Sequence, residues 1–67
     1  MGDLLADHKP DIEEMIRCAL REVHMRESVY PRWVAAGRLK QHVADNEIKV
    51  MRAIIDTLER VKERGGV

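Results

Sequence analysis

Ile12, Met15, Ile16, Ala19, Leu20 and Val23 recur at i, i+3, i+4 and i+7, and Tyr30 continues the same line. That spacing puts them on one buried stripe of a helix. It predicts a first long helix over 9–29, preceded by an arm at 1–8. Pro10 suits a first helical turn, where its missing N–H would be unpaired anyway. Asp11, Glu13 and Glu14 place negative charge at the positive end of the helix dipole. Asp7 stands where an N-cap is wanted. Pro31 predicts the stop, because it disfavours helical geometry at Tyr30 and cannot donate to the ladder.

An elbow over 30–39 follows, bounded by Pro31 at a first-turn position and Gly37 at a left-handed C′ position. The stretch between them predicts a short elbow helix at 31–36. Tyr30, Trp33 and Val34 should then cluster over the end of the hairpin. The second long helix is predicted over 40–64. Ala44, Ile48, Met51, Ile55 and Leu58 share one line, and Val43, Val50, Ile54 and Val61 widen it on one side. The resulting arc is about 160°, against the ~100° that a single packed face needs. Lys62, Arg64 and Gly65 make a conventional C-terminus. Lys40 is a poor N-cap.

The fold expected is all-α: an antiparallel helical hairpin closed by a short elbow. A two-helix contact leaves each stripe residue only half covered, and that burial falls short of the entropy of ordering the chain. The surplus apolar arc of the second helix points the same way. The expectation is a homodimer forming a four-helix bundle through Val50, Ile54, Ile55, Leu58 and Val61. The competing arrangement is a monomer in which Leu4 and Leu5 of the arm cover the surplus. Charge is segregated along the chain. Residues 1–16 carry five acids and one base, 17–40 carry six bases and two acids, and 41–67 carry five of each, so the total is zero. The elbow end is therefore basic and the open end more acidic, which favours antiparallel docking of two copies.

Two charges fall inside the apolar arcs. Arg26 lies between Val23 and Tyr30, and Glu47 lies among Val43, Val50, Met51 and Ile54. Both sit near the elbow in an antiparallel hairpin, so they are expected to form a buried ion pair, with the Tyr30 O–H and Trp33 N–H as further partners. Loss of either member of such a pair should cost roughly 3 kcal/mol. Glu22 and Glu27, at the stripe edges, read as solvated.

The 67 residues allow a single domain, and aromatic content is only 3%. No apolar run reaches the ~18 residues of a membrane span. Neither a signal peptide nor, with Ala6 in place of Ser or Thr, a myristoylation motif is expected. One cysteine gives no internal disulfide, and the whole reads as cytoplasmic. His8, His24, His42 and Cys18 show no i, i+4 ligand pair and no Cys-x-x-Cys, so no metal site is expected. No phosphate-binding glycine loop is present, and no cofactor is expected. The chain is not expected to be an enzyme.

The run Met25-Arg26-Glu27, then Val29-Tyr30-Pro31-Arg32-Trp33-Val34 and Ala36-Gly37-Arg38-Leu39, leads into Ala44-Asp45-Asn46-Glu47-Ile48, Met51 and Ala53-Ile54-Ile55. This stretch, a little over half the chain, resembles a group of small α-helical proteins of phage and prophage type. The resemblance implies an all-helical hairpin and transfers no catalytic residue. It also implies a small cap such as Thr before the second helix, where this chain has Lys40.

The function expected is therefore a small non-enzymatic oligomeric interaction or accessory protein of phage type. It would be a homodimer with a protein partner that the sequence does not name. The alternative is a nucleic-acid-associated regulator using Arg32, Arg38 and Lys40 beside Trp33. Zero net charge weighs against that alternative.

Overall fold

A computed structural model describes residues 8–65. Asp7, Leu4 and Leu5 lie outside these residues. Two helices pack against each other: α1, Ile12–Ala35, and α2, Gln41–Glu63. No strand occurs among the described residues, and none of their helices is long and apolar enough to cross a membrane.

The start of α1 is set by Asp11. Its Oδ1 accepts from the Glu14 N–H at 2.8 Å, while the Glu14 carboxylate accepts from the Asp11 N–H at 3.3 Å. This reciprocal capping box satisfies two otherwise orphaned amides. Pro10 therefore precedes the cap and is not in the first turn. His8 Nε2 also meets the Glu14 carboxylate, at 2.9 Å.

Pro31 does not end α1, and no separate elbow helix exists at 31–36: one helix of 24 residues runs through Pro31 to Ala35. Proline removes one ladder bond, and here it does so about one turn before the helix ends. The bond lost here is to the carbonyl of Glu27, an exposed residue that water can reach. Continuing the helix keeps Tyr30 and Trp33 in i, i+3 register. Their rings stack with centroids 5.6 Å apart and an interplanar angle of 29°.

The helix stops at Gly37. Its φ of 74° is the left-handed conformation expected of this position. The Gly37 N–H donates to the Val34 carbonyl at 3.0 Å, and the Arg38 N–H to the Trp33 carbonyl at 2.8 Å. This pair of bonds is a Schellman closure.

Lys40 is the N-cap of α2 and makes no side-chain cap hydrogen bond, and the first turn has no acidic residue. Lys40→Asp should therefore stabilise the hairpin by about 1 kcal/mol, the usual worth of a capping side chain. The check is a higher urea midpoint at unchanged m-value; an unmoved midpoint would show that the turn cannot accept the cap.

The buried residues are Ile12, Ile16, Ala19 and Val23 of α1 with Ala44 and Ile55 of α2. Met51 and Leu58 pack against the central Ala19, Val23 and Ile55. Ile55, expected at a dimer interface, is thus part of the core of the single chain at 7% exposure. Its neighbour Ile54 remains 43% exposed.

Candidate functional site

The two faces of the hairpin differ chemically. On one, the helices are joined by ion pairs: Glu13 with Lys62 at 3.4 Å, and Glu27 with Arg52. Neither pair was expected from the sequence, where Glu27 read as solvated. Glu13 and Glu27 stand seven residues to either side of Leu20, so all three lie on this face.

The opposite face is apolar. Met15, Cys18 and Ala19 of α1 with Met51, Ile54 and Leu58 of α2 line an open groove of about 790 Å³. Ile54 and Leu58 also line a second recess with Val50, Ala53 and Thr57. Met25 follows Cys18 by seven residues and Trp33 follows Met15 by five full turns, so both point to this side of α1. Val43 and Val61 stand seven residues from Val50 and Ile54, on the same side of α2. Of the large hydrophobic residues exposed among the described residues, Met15, Met25, Trp33, Val43, Val50 and Ile54 belong here, and only Leu20 belongs to the other face. Leu58 and Val61 are half-buried. The α1 half of this face was missed from the sequence because Met15 was assigned to the intrachain stripe. The eighteen-residue spacing from Met15 to Trp33 was the available signal.

Glu14, Arg17, Arg21 and Glu22 also line the groove, and a polar node around Arg26 interrupts the apolar face farther along α1. Arg26 Nη1 donates to the Glu47 backbone carbonyl at 3.0 Å and lies 3.7 Å from Glu47 Oε1. The expected partners therefore meet, but not as a buried pair: their side chains are 21% and 48% exposed. The shorter contact is with Glu22, whose Oε2 accepts from Arg26 Nε at 2.8 Å across one helical turn. Glu22, expected to be solvated, is the closer anchor because an i, i+4 carboxylate needs no tertiary placement. Tyr30 offers its ring face, 5.9 Å from the guanidinium, where its hydroxyl had been expected.

The hydrogen bond to Glu22 holds the guanidinium pKa above its ordinary value, against a smaller opposing effect of burial. A raised pKa on a cation means its contribution is present below the unfolded value and lost only above it. Arg26 therefore adds no pH dependence over the working range.

The structure replaces the roughly 3 kcal/mol expectation for a buried pair with a smaller one. A double-mutant cycle between Arg26→Met and Glu22→Gln should give a coupling of about 0.5 kcal/mol. The cycle with Glu47→Gln should give less, because that carboxylate is half in water. A Glu47 coupling above that of Glu22 would contradict this ranking.

The remaining sequence candidates are dispersed. Tyr30 and Val34 are half-buried at the closed end, and Trp33 is exposed. Arg32, Arg38 and Lys40 are exposed around the turn; Arg32 Nε reaches back to the Ser28 carbonyl at 3.5 Å. Cys18 is an exposed free thiol in the groove. No group of three or more His, Cys, Asp or Glu gathers to hold a metal among the described residues. No family model, curated protein or solved structure matches this chain.

Proposed function

We propose that this chain is a non-enzymatic self-association module. Two hairpins dock apolar face to apolar face into a four-helix bundle and turn their charged faces outward to a further protein partner. The observation that carries this reading is the segregation of exposed hydrophobic side chains onto one face while ion pairs close the other. Contiguous apolar patches of this kind mark interaction sites. Helices about 36 Å long lying 8–10 Å apart offer on the order of 700 Å² per copy, within the range of specific interfaces. The Tyr30-Pro31-Arg32-Trp33-Val34 stretch is the feature that links this reading to phage- and prophage-type helical proteins.

Sedimentation velocity over a wide concentration range tests it. The expected result is a monomer–dimer equilibrium with a melting temperature that rises with protein concentration. A cooperative monomer with a concentration-independent melt would end the proposal.

A second reading, nucleic-acid association, is favoured by the closed end. Residues 28–44 carry Arg32, Arg38 and Lys40 with no Asp or Glu, and exposed Trp33 stands in the same turn region. It predicts gel retardation of single-stranded DNA or RNA that weakens steeply with salt. Unretarded nucleic acid at low salt removes it.

A further inference from the structure

The apolar face has a knob at one end and a hollow at the other. Trp33, the single tryptophan of the chain, stands 43% exposed in the last turn of α1. Its ring is already stacked on that of Tyr30, with centroids 5.6 Å apart. Little side-chain freedom remains to be lost on docking. The groove between Met15, Cys18, Met51, Ile54 and Leu58 lies toward the open end. Its sulfur-bearing walls are adaptable and pack well against an aromatic ring.

We infer that the second copy docks antiparallel, so that each Trp33 seats in the partner copy's groove between Met15, Cys18 and Leu58. This rests on the self-association proposed above and adds its orientation and its anchor.

The register supports it. An isologous interface repeats every contact about a two-fold axis, so a knob can fill a hollow on the same face only if the axis lies midway between them. Trp33 and the groove residues Met15 and Cys18 place that axis level with about residue 25 of α1. This is close to the middle of Ile12–Ala35, so nearly the whole apolar face is covered in the same arrangement. Parallel docking would set Trp33 against Trp33 and leave both grooves facing each other empty.

Charge favours the same choice. Parallel docking sets Arg32, Arg38 and Lys40 of one copy against the same three of the other, with no carboxylate over 28–44 between them. Antiparallel docking moves these clusters apart, each to an open end where Asp11, Glu13 and Glu14 are mixed with Arg60, Lys62 and Arg64.

The test uses the native chain, whose lone Trp33 and lone Cys18 report on opposite ends of the face. Trp33 emission and acrylamide quenching are followed as the protein is diluted through the dimer–monomer transition fixed by sedimentation. The expected dimer has blue-shifted emission and a quenching constant several-fold below that of the monomer. Mild oxidation should yield little Cys18–Cys18 cross-link, since the two thiols would lie roughly 20 Å apart along the bundle, beyond disulfide reach. Trp33→Ala should weaken association at least ten-fold while helicity by circular dichroism is kept. A dimer whose Trp33 stays as quenchable as in the monomer, or which cross-links readily through Cys18, overturns the antiparallel seating and leaves self-association standing. Absence of any dimer overturns both.

Discussion

Ile55→Ala is expected to cost about 3 kcal/mol of folding stability, a large share of what so small a domain holds. Ile55 is the one large buried side chain that α2 contributes against Ala19 and Val23, with Met51 and Leu58 packed beside it. Shortening it leaves a void beside Ala19 and Val23 at the centre of the helix–helix contact. The loss should appear in urea unfolding as a lower midpoint at every protein concentration, because the residue acts within one chain. A midpoint within experimental error of the native protein would mean that the core lies elsewhere.

Ile54→Glu, one residue away, should act on assembly. Ile54 is exposed in the single chain and lines both hollows of the apolar face. In the proposed dimer each copy buries it, and losing about 2 kcal/mol of apolar transfer twice weakens association on the order of a thousand-fold. Two carboxylates entering an apolar interface add to that loss. The variant should sediment as a monomer where the native chain is a dimer. Its melting temperature should fall to the low-concentration limit of the native protein, while helical circular dichroism remains. Identical sedimentation and melting for variant and native chain would show that this face is not used for association. The pair of substitutions separates the two roles: neighbouring isoleucines of equal size, one lowering stability at any concentration and the other only where dimers form.

Much of this hairpin was legible in the pattern of residues. The line Ala44, Ile48, Met51, Ile55, Leu58 predicts a helix whose inner face is the one observed, and Gly37 predicts the left-handed turn that ends α1. Both are local effects, a period of 3.6 and a missing Cβ, and need no tertiary partner. The unfilled cap at Lys40 was legible for the same reason. Pro31 is a helix stop by local geometry, yet α1 runs through it to Ala35 at the loss of one ladder bond and keeps Tyr30 and Trp33 stacked in register. Asp11 was read as a dipole charge when it is the cap itself, although Asp11 and Glu14 show the three-residue spacing of a capping box.

The sequence by itself determined the helices, the point at which the chain reverses, and the fact that α2 has more apolar surface than one neighbour can cover. The tertiary structure decided that Ile55 is buried within one chain, where the sequence left it with Ile54 at a shared interface. It also decided that Arg26 is anchored by Glu22 more closely than by Glu47. The reason is rotational. A periodic stripe states that a helix has an inner side to within an arc of many tens of degrees. Only the packing of two helices fixes their rotation about their axes, and that rotation separates buried from exposed at adjacent positions.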